Sequence, residues 1–294
     1  MKKSFVVPRK RSNFAANNMT YDEFWRPLTS VYERGEAQAV ARLVLEMGYG
    51  LTLADMLSGN VEQLPEERLS TMQRRLLAGE PVQYVLGETE FCGRRLLVGP
   101  GVLIPRPETE ELCHLILHDA RRSTPRILDI GTGSGCIAVT LAAELPKAEV
   151  TAWDVSPEAL RIARENAKRS GVHVSFEQVD ILKPQSLELN PQSLDLIVSN
   201  PPYVCERERA TMAPNVLEHE PELALFVPDD DSLRFYRAIG DYALQALKPG
   251  GLLFFELNSS HAQATATLLA EQGFQHITIH QDQFGKDRFI RACR

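Results

Sequence analysis

A short proline-stiffened segment, Asn200-Pro201-Pro202-Tyr203, carries side chains suited to holding a flat polar substrate. Its two prolines remove two backbone N–H donors and stiffen the turn. The Asn200 side chain and the Pro201 carbonyl are left as acceptors for an NH2 group, and Tyr203 adds an aromatic wall. We predict that the whole segment, Pro202 included, binds substrate and that three of its residues are catalytic: Asn200, Pro201 and Tyr203.

A glycine-rich loop, Gly131-Thr132-Gly133-Ser134-Gly135, follows an apolar strand and opens a predicted helix. Glycines let the backbone turn sharply and approach a ligand closely. Asp154 ends the next strand, where an acid can hold two ribose hydroxyls, and ligands of open sheets bind at such carboxyl ends. The predicted cofactor-binding residues are Asp129, Gly131, Thr132, Gly133, Ser134, Gly135, Asp154, Asp180, Ile181 and Asn200.

The glycine spacing separates two classes of cofactor. Dinucleotide-binding loops follow GxGxxG, whereas this loop follows GxGxG. Together with Asp129 it resembles motif I of class I S-adenosylmethionine-dependent methyltransferases. That resemblance implies S-adenosylmethionine as cofactor and S-adenosylhomocysteine as product, with the loop on the methionine part, Asp154 on the ribose and residues near Asp180 beside the adenine. It implies no metal.

The Asn200 tetrapeptide resembles one found in enzymes that methylate planar nitrogens of DNA bases, rRNA guanines or glutamine amides. Such a nitrogen is a poor nucleophile because its lone pair is delocalised. Two acceptors fix its plane and direct the lone pair toward the methyl carbon, and such alignment can supply about 7–11 kcal/mol of a barrier. The sulfonium leaving group is already activated, so neither a metal nor a strong base is needed.

Strands and helices alternate from about residue 125 onward, which predicts an α/β fold with a mostly parallel sheet covered on both faces. The short polar turn near the end of the chain predicts that the last two strands pair antiparallel. Predicted strands cover 126–130, 149–153, 172–179, 194–199, 252–257, 275–280 and 288–292, and predicted helices cover 136–145, 157–170, 232–247 and 261–272.

The first hundred residues have a different pattern. Apolar residues at helical spacing predict short amphipathic helices over 21–32, 36–47 and 65–78. Glycine-separated extended runs over 83–86, 90–92 and 95–98 predict a hairpin linker. The predicted domains are a basic tail (1–18), a helical substrate-recognition domain (19–80), the hairpin linker (81–105) and a methyltransferase domain (106–294).

Composition narrows the class of protein. The chain has 294 residues, of which 44% are hydrophobic and 24% charged, with a net charge of −7. It lacks an apolar run of about 18 residues and the apolar core of a signal peptide, and its five cysteines form no CxxC pair, so we expect a cytoplasmic protein without membrane contact. The acidic balance argues against nucleic-acid binding. The basic segment 1–18 is interpreted either as a solvated tail or as an arm that contacts RNA.

Two segments outside the methyltransferase core, Gly79-Glu80-Pro81-Val82-Gln83-Tyr84 and Leu103-Ile104-Pro105-Arg106-Pro107-Glu108-Thr109-Glu110, resemble the release factor glutamine methyltransferase family. The resemblance extends over about residues 20–294 and implies a Rossmann-like fold with a seven-stranded sheet, a small helical domain and a β-hairpin. Further matches are Gly87-Glu88, Phe91, Glu220-Pro221, Ala224-Leu225, Phe235-Tyr236-Arg237, Glu256, Asp282, Gly285 and Arg288.

The resemblance implies methylation of the side-chain amide nitrogen (N5) of the glutamine in the Gly-Gly-Gln motif of bacterial class I peptide chain release factors. It also implies that Phe91 lies close to the target glutamine and that the helical domain and hairpin dock the release factor. Glu108 and Glu110 are interpreted either as partners of the cofactor's amino group or as helix-capping residues. The alternative functions are methylation of a ribosomal-protein glutamine and methylation of nucleic-acid amino groups.

Overall fold

The computed structural model describes residues 18–120, 125–183 and 191–294. The chain divides into two compact units, the first ending at Val82 and the second beginning at Gln83. The predicted basic tail (1–18) lies outside the described residues except for its last residue, Asn18. Within the described ranges, no helix combines the length and the apolar character needed to cross a membrane.

The N-terminal unit is built from short helices: α1 (Tyr21–Trp25), α2 (Arg34–Tyr49), α3 (Leu53–Leu57) and α4 (Glu66–Leu77), with 3-10 turns between them. Thr20 and Thr52 begin α1 and α3 with capping boxes, in which each threonine exchanges hydrogen bonds with an acid three residues later. Phe24, Leu28 and Leu45 are fully buried in this unit. The predicted helix over 21–32 is divided here into α1 and a 3-10 helix, where Pro27 removes a backbone donor.

The second unit is organised around a seven-stranded sheet, as the sequence predicts. Its strand order is β10-β11-β9-β6-β3-β4-β5, and the pairs joining β9, β6, β3, β4 and β5 are parallel. Only β11 runs antiparallel to both of its neighbours, which confirms the prediction for the last two strands. The strands are β3 (Arg126–Ile130), β4 (Glu149–Asp154), β5 (Ser175–Gln178), β6 (Leu194–Ser199), β9 (Leu247–Glu256), β10 (Gln275–Gln281) and β11 (Asp287–Cys293).

Helices cover both faces of this sheet. Both faces are apolar, because successive residues of each apolar strand point to opposite sides. Ile127 packs in one hydrophobic cluster and its neighbour Leu128 in the other. The first cluster contains buried residues of α6 (Pro107–Ala120) and α7 (Cys136–Glu144), and the second those of α10 (Arg234–Ala246) and α11 (Ala262–Gln272). The remaining sheet helix is α8 (Pro157–Arg169). Continuous apolar strands are thus buried on both sides, as parallel sheets require.

The predicted hairpin is present, but one of its extended runs is a helix. Strands β1 (Glu88–Phe91) and β2 (Arg94–Leu97) pair antiparallel. The prediction of an extended run over 83–86 is wrong, because these residues belong to α5 (Val82–Leu86). Pro81 directly precedes this helix, and a fixed φ suits a first helical turn. A run of four residues is too short for apolar spacing to separate helix from strand.

A segment with no predicted element lies between β6 and α10. It contains the short parallel pair β7 (Val204–Cys205) and β8 (Phe226–Val227), with α9 (Pro214–His219) between them. Because these elements are only two to six residues long, they carry little of the periodicity that sequence analysis needs. The segment follows the Asn200 corner directly and supplies part of the cavity described below.

Candidate active site

A cavity opens at the carboxyl ends of the parallel strands, with a volume of about 1120 Å³ including its open mouth. This is the edge of an open α/β sheet where ligands bind. The structure brings most of the predicted site residues together around it. The predicted residues that line the cavity are Gly131, Thr132, Gly133, Ser134, Asp154, Asp180, Ile181, Asn200, Pro201 and Pro202.

The glycine loop leaves open space where side chains would otherwise project. Gly131 and Gly133 have φ angles of +74° and +55°, and a Cβ added to either residue would meet no atom within 4 Å. Positive φ favours glycine, so the backbone here faces the cavity without strain. Ser134 is buried at the cavity wall, with its Oγ shielded from solvent and close to the Cys136 thiol. The loop therefore offers mainly backbone surface to a ligand.

Asp154 ends β4 and joins the glycine loop to the start of α8. Its Oδ2 accepts a hydrogen bond from the Gly133 backbone at 2.8 Å, and its Oδ1 accepts one from Ser156 at 2.8 Å. Burial raises the pKa of this carboxyl, while these backbone donors lower it. Each carboxylate oxygen retains a second lone pair. The side chain is thus fixed in place and still able to accept hydrogen bonds from a vicinal diol in the cavity.

Asp129 lies beneath the glycine loop and does not line the cavity. Its side chain is fully buried, and its Oδ2 accepts a hydrogen bond from the Thr132 hydroxyl at 2.6 Å. Burial raises the pKa of Asp129 to about 7, with a smaller contribution from the charge of Asp154. Gly135 also lies outside the cavity wall, where it packs against α8. Asp129 and Gly135 thus contact the loop on the side that faces away from the cavity.

The pKa of Asp129 predicts a pH-dependent stability. Between about pH 4 and pH 7 the folded state binds more protons than the unfolded state, so stability falls as pH rises through this window. The substitution Asp129→Asn removes this pH-dependent loss of stability and keeps an acceptor for the Thr132 hydroxyl. We therefore expect the unfolding free energy of the variant, relative to the wild type, to increase by roughly 2–4 kcal/mol between pH 4 and pH 8. Urea titrations over this range check it, and parallel pH profiles for the two proteins would contradict it.

The Asn200 corner forms another part of the cavity wall. It follows β6, whose last residue, Ser199, donates a hydrogen bond from its Oγ to the Ile130 carbonyl at 2.6 Å. That bond ties the ends of β6 and β3 together and so holds the corner beside the glycine loop. The Asn200 Nδ2 donates to the Thr109 Oγ1 at 3.2 Å. The corner is therefore fixed both by its prolines and by a side-chain contact with α6.

Two predicted substrate-binding residues do not line the cavity. Tyr203 is partly buried, and its hydroxyl donates to the Glu256 Oε1 at 3.1 Å. Phe91 is 1% exposed and packs in the core cluster that contains Leu112 and Ile116. The pleat of β1 turns the Phe91 ring inward, so a molecule in the cavity does not touch it in this structure. Phe91 thus lies outside the cavity in this structure, and its contact with the target glutamine stays a prediction.

Sequence reasoning assigned no role to several residues that complete the site. Thr109 lines the cavity, and Glu256 lies directly behind it with 1% exposure. Arg106 also lines the cavity and pairs with the buried Glu220 at 2.5 Å. The hydrogen bonds Asn200–Thr109, Thr109–Glu256 and Arg106–Glu220 join residues that are 91, 147 and 114 positions apart in the sequence. Motif similarity marked the segments that contain them, but only the fold brings them together.

Glu110 has a local role that differs from the predicted cofactor contact. Its Oε1 accepts a hydrogen bond from the Cys92 backbone at 2.9 Å, which ties the hairpin turn to α6. Neither Glu110 nor Glu108 is among the cavity residues. Within the described ranges, no group of three or more His, Cys, Asp or Glu side chains is arranged to hold a metal ion.

The sheet order and the glycine loop at its carboxyl edge define a class I methyltransferase. Comparisons with known proteins agree with this assignment. Residues 122–288 match the family described as methyltransferase domain, and residues 28–87 match the PrmC N-terminal domain. The crystal structure of a methyltransferase from Pyrococcus furiosus superposes with a TM-score of 0.51 at 20% identity, over 76% of this chain and 98% of that chain.

Curated relatives identify the family within that class. The release factor glutamine methyltransferase of Bacteroides thetaiotaomicron is 44% identical over 91% of this chain and 96% of that protein. The protein of the same name from Flavobacterium psychrophilum is 41% identical over 92% of this chain and 96% of its own length. The chain belongs to the release factor glutamine methyltransferase family, and it is accordingly an enzyme.

Proposed function

We propose that this enzyme transfers a methyl group from S-adenosylmethionine to the side-chain nitrogen N5 of the glutamine in the Gly-Gly-Gln motif of bacterial class I peptide chain release factors. One observation carries the proposal. The Asn200-Pro201 acceptors and the Gly131–Gly135 loop line the same cavity, so a planar amide and a cofactor fit side by side. The names of the curated relatives support the choice of substrate.

The residues present fit S-adenosylmethionine. Gly131 and Gly133 leave room for the methionine part of the cofactor against the backbone, and Ser134 lies at the cavity wall beside them. Asp154 is available to the ribose hydroxyls, and Ile181 offers an apolar surface beside an adenine. When bound, S-adenosylmethionine supplies a methyl group already activated by a positively charged sulfur.

The Asn200 corner orients the nucleophile. The Asn200 carboxamide oxygen and the Pro201 carbonyl accept the two N–H groups of the target glutamine. These contacts fix the plane of its amide and direct the weak nitrogen lone pair along the line of transfer. Alignment of this kind can supply about 7–11 kcal/mol of the barrier. The proline backbone keeps both acceptors in place, so little reorganisation precedes the reaction.

The N-terminal unit and the β1–β2 hairpin are proposed to recognise the release factor. Among the described residues of this unit, three large apolar side chains are exposed: Val31, Leu53 and Leu57, the last of them 71% exposed. We propose that these side chains contribute to the contact with the release factor. We further propose that the enzyme acts in the cytoplasm, where its substrate takes part in translation.

Intact-mass analysis of co-expressed release factors tests this function. We expect class I release factors to gain the mass of one CH2 group when the wild-type enzyme is present. A release factor whose Gly-Gly-Gln glutamine is replaced by alanine should gain none. Unmodified wild-type release factors, or methyl transfer to ribosomal protein or nucleic acid instead, would overturn the proposal.

A further inference from the structure

A chain of buried and partly buried hydrogen bonds runs from the cavity into the protein behind Asn200. The Asn200 Nδ2 donates to the Thr109 Oγ1 at 3.2 Å, and the Thr109 hydroxyl donates to the Glu256 Oε2 at 2.7 Å. The other carboxylate oxygen of Glu256 accepts the Tyr203 hydroxyl at 3.1 Å. The chain thus connects the end of β6, the first turn of α6 and the end of β9, and only its first member needs to touch substrate.

Donor and acceptor chemistry gives this chain a direction. A carboxylate only accepts hydrogen bonds, so the single hydroxyl hydrogen of Thr109 is used on Glu256. Thr109 can then only accept from Asn200. The amide nitrogen of Asn200 must therefore face Thr109, and its oxygen must face away. Without such a constraint, the two ends of an asparagine amide are close in shape and either could face the cavity.

Glu256 is buried and accepts hydrogen bonds from two hydroxyl groups in this chain. Burial, together with the charge of Glu108, raises the pKa of Glu256 by more than the hydrogen bonds from Thr109 and Tyr203 and the charge of Arg288 lower it. Burial and the charge of Glu256 raise the pKa of Tyr203, so its hydroxyl stays protonated and donates. Two donors and a nearby guanidinium therefore face one carboxylate, which fits its role as the acceptor at the end of the chain.

We propose that Thr109 and Glu256 are positioning residues that hold the Asn200 amide with its oxygen toward the cavity. The inference rests on the proposed function, since an acceptor is needed there only if the substrate nitrogen carries N–H groups. A flipped Asn200 amide would direct its own N–H groups at the substrate NH2 and would repel it. The two residues thereby determine that Asn200 presents a hydrogen-bond acceptor, and not a donor, to the substrate.

Glu256→Gln tests the direction of the chain. Glutamine has nearly the same shape but presents one acceptor and one donor. When its NH2 group faces Thr109, the threonine hydroxyl is free to donate to Asn200, which stabilises the flipped amide. We expect kcat for release factor methylation to fall about 10- to 100-fold, as misorientation of a substrate contact does, with cofactor affinity nearly unchanged.

Thr109→Val removes the contact with Asn200 while keeping the side-chain shape, and we expect a similar fall in kcat. Thr109→Ser retains the hydroxyl and should restore most of the activity. Thr265→Val is the matched control: Thr265 is also buried, but its hydroxyl donates to the carbonyl of His261, the residue that precedes α11. That variant should keep wild-type kcat, and thermal unfolding of both valine variants shows whether each is folded.

A measurement independent of activity separates this inference from the proposed function. The side-chain NH2 signals of Asn200 are identified by NMR as those that Asn200→Asp removes. In the wild type we expect slow hydrogen exchange for the N–H bonded to Thr109, and at least about tenfold faster exchange in Thr109→Val. Unchanged exchange, or wild-type kcat in folded Thr109→Val, would overturn the positioning role. Absence of methyl transfer by the wild type would instead reject the proposed function, and the exchange test would still stand.

Discussion

Replacing Asn200 by alanine should slow methyl transfer to the release factor by at least about 100-fold while leaving S-adenosylmethionine affinity nearly unchanged. The substitution removes the side-chain acceptor that fixes the plane of the substrate amide. It leaves Asp154 and the glycine loop in place, and these form the proposed cofactor site. The effect should therefore appear in the transfer step, because the lost contact matters for alignment more than for binding.

Single-turnover kinetics with saturating cofactor, together with calorimetric titration of the cofactor, separate these two quantities. Gln263→Ala serves as the control, because it deletes an exposed side-chain amide on α11 outside the cavity. That variant should match the wild type in both measurements. Equal turnover by Asn200→Ala and the wild type would mean that the corner does not orient the substrate.

The order of strands and helices in the second unit could be predicted from local sequence patterns. The predicted bounds of β3 and β6 match the structure residue for residue, because each is a largely apolar run bounded by proline, glycine or polar residues. The 3.6-residue periodicity of α8 similarly located it within one residue. Short elements were not predicted, because they lack such local patterns. In α5 and β7, too few residues are present for any period to appear, and tertiary contacts determine their structure.

The residues of the candidate site also fall into two groups: those predictable from local sequence and those that only the fold brings together. The glycine loop and the Asn200 corner each lie within a few consecutive residues, so their chemistry can be read from spacing. The contacts of Thr109, Glu256 and Glu220 depend on pairings across more than 90 positions, which only the folded sheet establishes. Motif similarity located Phe91 in the sequence but not in the fold, where its side chain packs in the core and its contact with the target glutamine stays a prediction.

Gly135→Ala should lower the unfolding free energy by about 2–5 kcal/mol, from two separable causes. Gly135 has φ +81°, a conformation that costs an alanine about 1–2 kcal/mol. A Cβ at this position would also lie 3.0 Å from the Cβ and 3.2 Å from the Cα of Ala163 on α8. Relieving this overpacking costs about 1–3 kcal/mol more, because the backbone of α7 or α8 has to move.

A matched control and a double-mutant cycle separate the two causes. Gly131 has φ +74° but nothing within 4 Å of an added Cβ, so Gly131→Ala should cost only the conformational part, about 1–2 kcal/mol. Gly135→Ala should be less costly in an Ala163→Gly background by about 1–3 kcal/mol, because the opposing Cβ is then absent. Urea unfolding without cofactor measures all four proteins of the cycle. Equal costs for Gly131→Ala and Gly135→Ala would show that α7 and α8 do not need this close approach. The third glycine of the loop would then serve the turn alone, and the packing that holds the loop against α8 would have to come from elsewhere in the core.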